Sequence, residues 1–179
     1  MPEMIAMKKN VDDQKIAQSL RDFHLPRYED LPSMGLYLEQ TAKYLNRQLA
    51  PLEDVHLTAS MISNYVKHDL IFPPNRKLYS RQQLAELTFI AISKNVLPLA
   101  NLREALRIQR ETYDTATAYN YMADELENVL AYVFGLKAQL AKTGKDHNEY
   151  KRMLRSVIMT VSYKVYLDKY FSEITPENK

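Results

Sequence analysis

The sequence predicts a mainly α-helical protein with one small β-wing, and three observations support this. Only 3 of the 179 residues are glycine, which leaves few positions for the tight turns that join strands. Apolar residues recur at helical spacing along most of the chain. Six prolines, at positions 26, 32, 51, 73, 74 and 98, lie in the segments that separate the predicted helices.

The composition also excludes several classes of protein. No apolar run approaches the roughly 20 residues that a membrane span needs, and the N-terminal residues MPEMIAMKKN contain no apolar signal region. The absence of cysteine excludes disulfides and thiolate metal sites. We therefore expect a cytoplasmic protein that has no membrane partner.

Basic charge is concentrated in one segment. The whole chain has a net charge of +2, but residues 57–110 contain eight lysines and arginines against three acidic residues. Residues 1–56 and 111–179 are each slightly acidic. A basic excess confined to one segment is typical of a surface that contacts phosphate, although basic surface segments also occur without that role.

The N-terminal part begins with an irregular stretch. Residues 1–33 are predicted to be a loosely ordered lead with one short helix at residues 12–23, because Pro26 and Pro32 prevent regular structure after it. Residues 35–49 then form a helix with one buried stripe. The stripe consists of Leu38, Ala42, Leu45 and Leu49.

A second helix begins after Thr58, whose hydroxyl suits the N-cap position. Its helical wheel separates an apolar side from a polar side. The apolar side consists of Met61, Ile62, Tyr65 and Val66, and the polar side of Ser60, Ser63, Asn64 and Lys67. Pro73 and Pro74 then favour an extended path, so residues 76–79 are predicted to form a short wing strand.

Two further helices follow the wing. Ser80 and Gln83 have the spacing of a capping box at the start of the first, and the second begins after Pro98. Their apolar stripes are Leu84, Leu87, Ile90 and Ala91 in the first, and Leu99, Leu102 and Leu106 in the second.

The C-terminal third is predicted to contain two long helices separated near Gly144. The first has apolar residues in the 4-3 spacing of three heptads. This seam consists of Tyr119, Met122, Leu126, Val129, Val133, Leu136 and Leu140. The second helix covers residues 148–171, although residues 161–167 also alternate like a strand. The seam can pack against the second helix as an intrachain hairpin, or against a second copy of the chain as a dimer.

The helix after Thr58 and the wing have the chemistry that DNA recognition requires. A major groove is about 12 Å wide and admits a helix whose polar side chains reach the base edges. The amide of Asn64 suits adenine, hydroxyls suit bases or phosphates, and cationic side chains suit phosphates. The predicted DNA contacts are Thr58, Ser60, Ser63, Asn64, Lys67, Arg76, Lys77 and Tyr79. Any surface helix has a polar side, however, so the wheel by itself also fits a helix without DNA contact.

Three segments that occur in order resemble the winged helix-turn-helix of the MerR regulators: MISNYVKHDLI, PPNRKLYSRQQLAEL and VLPLANLREAL. The residues that match the family's motif are Tyr65, Lys67, Leu70, Ile71, Lys77, Tyr79, Leu84, Leu87, Leu99 and Leu102. The stretches LYLEQTAKYL and LTASMISNYVKHDLI are similar to a bacterial family known only as a domain of unknown function.

The resemblance implies a DNA-binding domain at residues 34–110 and a helical dimerisation or effector region at residues 111–179. It further implies a transcriptional regulator that binds double-stranded DNA as a homodimer. The chain departs from the family at Ser63, where an arginine is usual, at Asn64, where an aromatic residue is usual, and at Asp69, where glycine is usual. The connector before Thr58 is also longer, so the family's base preference does not transfer.

We do not expect the protein to be an enzyme. Its four histidines have no metal-ligand spacing, and no phosphate loop, dinucleotide fingerprint or nucleophile elbow occurs, so neither a metal nor a cofactor is expected. Thirteen tyrosines, eight of them in the C-terminal third, indicate helix packing or the pocket of an unidentified small-molecule effector. The alternative to a regulator is a helical protein–protein adaptor that keeps the winged-helix fold without binding DNA.

Overall fold

Seven α-helices make up most of the protein in the computed structural model, which describes residues 11–142 and 148–174. They are α1 (Asp13–Gln18), α2 (Leu38–Leu49), α3 (Ala59–Lys67), α4 (Arg81–Ser93), α5 (Leu99–Thr112), α6 (Thr115–Val133) and α7 (Glu149–Ile174). Two 3-10 turns, Tyr28–Asp30 and Ala50–Leu52, lie before and after α2. The predicted mainly α-helical fold is confirmed. No helix in the described part of the chain has the length and apolar character needed to cross a bilayer.

α4 lies at the centre of the molecule, in contact with α2, α5, α6 and α7. The predicted capping box forms at its start, where the Ser80 hydroxyl accepts from the Gln83 N–H at 3.3 Å and the Gln83 amide oxygen accepts from the Ser80 N–H at 2.8 Å. Ten of its thirteen residues are buried, and a helix buried on nearly every side needs a core around it. That core is continuous from Ile16 to Val165.

The helix predicted to carry three heptads is shorter than expected. α6 ends at Val133, and Gly135 follows with a left-handed φ of 72°. The Leu136 N–H donates to the Ala131 carbonyl at 2.8 Å, which closes the helix end. Leu136 and Leu140 lie beyond the helix, although both still pack against the core. The predicted break at Gly144 lies outside the described residues.

α6 and α7 pack against each other, but they run parallel and so do not form the hairpin that the sequence suggested. Glu125 forms an ion pair with Arg155, and the Phe134 ring lies 5.5 Å from the Tyr166 ring, so positions along the two helices advance together. The seam residues Tyr119, Met122, Leu126 and Val129 are buried inside this one chain.

Residues 23–31, predicted as part of a loose lead, form an ordered segment against α6 that we call the strap. The Arg27 guanidinium donates to the Glu127 carboxylate at 2.8 and 3.1 Å, and the Leu25 N–H donates to the same group at 3.0 Å. The Tyr28 N–H donates to the Asn120 amide oxygen at 2.8 Å. The segment contains one 3-10 turn, Tyr28–Asp30, but no α-helix, and its N–H groups are partly satisfied by side chains of α6.

The prediction of a β-wing at residues 76–79 was wrong, because no strand forms there. The chain makes a tight turn instead, in which the Leu78 N–H donates to the Asn75 carbonyl at 2.9 Å. Tyr79 pairs with Leu36 through two backbone hydrogen bonds of 2.8 and 3.1 Å. The two prolines at 73 and 74 have no backbone N–H, so pairing does not extend through them. We call residues 75–78 the basic turn.

Candidate nucleic-acid interface

α3 has the two-sided character that its sequence predicted. The Thr58 hydroxyl accepts from the Met61 N–H at 3.1 Å and caps the helix. Ile62 and Tyr65 are buried, and α3 packs against α2. The exposed positions are those of the predicted polar side, Ser60, Ser63, Asn64 and Lys67. The side chains proposed to reach base edges therefore share one open face.

The turn after α3 has a backbone conformation that is typical of glycine, but the residue there is an aspartate. Asp69 has a left-handed φ of 55°, and the Leu70 N–H donates to the Tyr65 carbonyl at 2.9 Å. This geometry buries Leu70 and Ile71 directly after the polar helix. A residue that tolerates positive φ is needed at this position.

The basic turn exposes two cationic side chains on a strained backbone. Arg76 has a φ of 49° and Lys77 a φ of 67°, and both are exposed. The turn lies close to the segment before α2, where a Cβ added at Gly35 would approach the Leu78 Cβ to 2.6 Å. Tyr79, also predicted as a DNA contact, is only 4% exposed and supports the turn from within the core.

The eight lysines and arginines of residues 57–110 divide by their partners. Three arginines form ion pairs: Arg81 with Glu29, Arg107 with both Glu104 and Glu111, and Arg110 with Glu86. Lys94 and Arg103 donate to neutral oxygens. Lys67, Arg76 and Lys77 are exposed and form no ion pair with any described residue. Five of the eight cations thus have no ionic partner, and the side chains of three of these, at α3 and the basic turn, also form no hydrogen bond with any described residue.

Two tyrosines at this surface are buried. Burial raises the pKa of the hydroxyl of Tyr65, which belongs to α3, and that of Tyr79, which follows the basic turn. The acidic side chain at the C-terminal end of α3 is the exposed Asp69.

Residues that fix α3 in place escaped the sequence analysis. Asn46 of α2 makes two hydrogen bonds to the backbone of Leu57, and Arg103 and Arg110 of α5 donate to carbonyls after α3. A polar residue in the middle of a helix is common, so Asn46 carried no signal. The two arginines contributed only to the count of basic charge.

An open groove of about 360 Å³ lies beside the basic turn, and it is lined by Tyr37, Leu38, Glu39, Pro74, Lys77 and Tyr79. Within residues 11–142 and 148–174, no three His, Asp or Glu side chains lie close enough together to hold a metal ion. A cavity of about 20 Å³ among the C-terminal helices is lined by Tyr119 and Tyr150, two of the tyrosines considered for an effector pocket. A single water molecule needs about 10 to 15 Å³ by the same measure, so the cavity is too small for an effector.

Comparison with known proteins gives a family but no described relative. No curated protein and no solved structure matches the chain. Residues 26–122 match the family described as Domain of unknown function (DUF1836). The match begins in the strap, includes α2 to α5 and the basic turn, and ends at Met122 within α6. Because it covers more than half of the 179 residues, the chain belongs to this family of unknown function.

Proposed function

We propose that the protein is a sequence-specific DNA-binding transcriptional regulator of the MerR-like type, with α3 as the recognition helix. The observation that carries the proposal is a set of three exposed cations, Lys67, Arg76 and Lys77, whose side chains form neither an ion pair nor a hydrogen bond with any described residue. They lie on and beside α3, whose polar side is exposed. Cations left free in this way are available to neutralise phosphates and release counterions.

The side chains of α3 divide between the two tasks of a DNA interface. Asn64 can donate to and accept from an adenine edge, and Ser60 and Ser63 can bond to bases or phosphates. Lys67 and the two cations of the basic turn supply affinity that does not depend on sequence. The turn takes the place of a strand wing and presents its cations from a two-residue tip.

The proposal is tested by measuring binding to selected genomic fragments by fluorescence anisotropy at several salt concentrations. Replacing Arg76 and Lys77 by alanine removes two phosphate contacts, so the slope of log K against log salt should become shallower by about 1.8. The matched control replaces Lys137 and Arg152, which are exposed and distant in sequence, and should leave the slope unchanged. If the wild-type protein binds no fragment at low salt, the proposal is wrong.

We further propose that the protein acts as a homodimer, because one helix in one groove contacts few base pairs. The heptad seam is covered within the chain, but α7 exposes a second apolar stripe. Tyr163, Leu167 and Phe171 are 47%, 48% and 55% exposed and follow the i, i+4, i+8 spacing of one helix face. A two-fold axis at Leu167 would bring Tyr163 of one copy against Phe171 of the other in an antiparallel pair.

Light scattering during size-exclusion chromatography tests the dimer. Leu167→Asp introduces a charge at the proposed axis and should convert the dimer to a monomer. Asn101→Asp adds the same charge at an exposed position of α5 and should leave the mass unchanged. A wild-type mass equal to one chain, at concentrations that saturate DNA, contradicts the dimer.

The adaptor hypothesis is favoured by one observation. Met34, Tyr37 and Phe72 are large apolar side chains that are 80%, 55% and 64% exposed. Met34 and Tyr37 lie within two residues of Leu36, which pairs with Tyr79, and Phe72 lies three residues before the basic turn. Scattered exposed apolar residues are ordinary on a protein surface, so this argument is weaker than the one from free cations. An adaptor would show no affinity for DNA in the anisotropy experiment and no effect of the Arg76 and Lys77 substitutions.

A further inference from the structure

The start of α3 is fixed to α2 by one asparagine. The Asn46 amide donates to the Leu57 carbonyl at 2.8 Å, and its oxygen accepts from the Leu57 N–H at 2.8 Å. Leu57 is fully buried and directly precedes the N-cap residue Thr58. Two hydrogen bonds to the backbone N–H and carbonyl of one residue fix its orientation as well as its position, so Asn46 sets where α3 begins.

Side chains of α4 and α5 hold the end of α3 by donating hydrogen bonds to the backbone carbonyls of every second residue that follows it. Arg103 donates to the His68 carbonyl at 2.6 Å, and Arg110 donates to the Leu70 carbonyl at 3.2 Å. The two arginines are seven residues apart and lie on one side of α5. Gln83 of α4 donates to the next alternate carbonyl, that of Phe72, at 2.7 Å.

Arg110 is itself held in place on two sides. Its Nε and Nη2 atoms donate to the two oxygens of the Glu86 carboxylate at 2.8 and 2.9 Å, and its guanidinium lies 5.1 Å from the Phe72 ring centre. The Glu86 side chain is 1% exposed. A buried ion pair adds little net stability compared with apolar residues of similar size, but its planar, two-point geometry fixes the position of the guanidinium.

We infer that Asn46 and Arg110 are positioning residues that set the sequence specificity of α3. The inference rests on the proposed function. Hydrogen bonds to base edges tolerate little displacement of the helix, whereas attraction between cations and phosphates depends weakly on exact position. Loosening either end of α3 therefore weakens binding to the cognate site and leaves binding to other sequences nearly unchanged.

The test compares affinity for a duplex selected by the wild-type protein with affinity for a scrambled duplex of the same length. Asn46→Ala should lower cognate affinity roughly ten-fold, with non-cognate affinity and the salt slope unchanged. Arg110→Lys keeps the charge beside Glu86 but loses the two-point geometry, and should show the same pattern if Asn46→Ala fails to fold. Substitution of Arg76 and Lys77 gives the opposite pattern, because both affinities fall and the slope becomes shallower.

Asn120→Ala is the matched control, since Asn120 also bonds through its side chain to the backbone, but in the strap. It should lower the melting temperature without changing the ratio of cognate to non-cognate affinity. The inference is overturned if the Asn46 and Arg110 variants keep the wild-type ratio, or if Asn120→Ala reduces it equally. Failure of the wild-type protein to select any sequence would instead overturn the proposed function, and the inference with it.

Discussion

Asp69 ends the proposed recognition helix in a conformation that most side chains disfavour. Its φ of 55° lies in the left-handed region, where contact between Cβ and the backbone costs roughly 1 to 2 kcal/mol for ordinary residues. Aspartate and asparagine tolerate this region better than other residues, which explains how a non-glycine residue occupies it. This strained residue lies at the surface where phosphate is proposed to bind. Its carboxylate would itself repel phosphate.

Replacing Asp69 by glycine should raise the free energy of unfolding by about 0.5 to 1 kcal/mol, because glycine has no Cβ to strain. Chemical denaturation measures the change. Asp69→Asn is the control, since it removes the charge but keeps the side chain, and it should change stability little. Equal stabilisation by asparagine and glycine would show that charge, not backbone conformation, is the cause.

At the scale of elements, the basic turn differs most from its prediction. Positive φ at both central residues is the signature of the turn type that asparagine and glycine favour in two-residue hairpins. Arginine and lysine occupy those positions here, so the turn gives up conformational stability and gains two exposed cations. The closeness of Gly35 to Leu78 and the pairing of Tyr79 with Leu36 hold this turn against α2.

Stability and DNA affinity should therefore change in opposite directions when the tip is replaced. Substituting Arg76→Asn together with Lys77→Gly should raise the free energy of unfolding by about 1 kcal/mol, since both residues tolerate positive φ. The same change should weaken DNA binding as much as the double alanine variant does. Thermal denaturation and anisotropy on the same samples check both parts. A variant that gains stability and keeps full affinity would separate the turn from DNA binding.

At the scale of the whole molecule, the strap connects the N-terminal part to α6 through Glu127. Burial tends to raise the pKa of this carboxyl, but hydrogen bonds from Arg27, the Leu25 N–H and His24 outweigh it and hold the pKa below its usual value. A carboxylate whose pKa is lowered by folding stabilises the fold fully above the unfolded pKa of about 4.3, and this contribution is lost as pH falls through the lower, folded value.

Glu127→Gln should lower the free energy of unfolding by about 1 to 2 kcal/mol at neutral pH, where the partly exposed Arg27 loses one of its two charged partners and keeps only Asp124. The difference from wild type should shrink as pH falls below about 4, because protonation removes the same charge. Urea denaturation at several pH values measures it. Glu173→Gln, which breaks the exposed pair with Lys15, should have little effect at any pH. A pH-independent difference for Glu127→Gln would contradict this account.

The sequence by itself determined most of the helices, the caps of α3 and α4 and the two-sided character of α3, because capping and periodicity depend on residues within one or two turns. Thr58, Ser80 and Gln83 act as their spacing predicted, and seven of the eight predicted DNA contacts are exposed. Tertiary structure decided what depends on partners distant along the chain. Arg27 meets Glu127 across 100 residues and Arg110 meets Glu86 across 24, so neither the strap nor the division between paired and free cations follows from local pattern. The parallel path of α6 and α7, and the support of α3 at both ends, are fixed by burial and hydrogen bonding that exist only once the helices have packed.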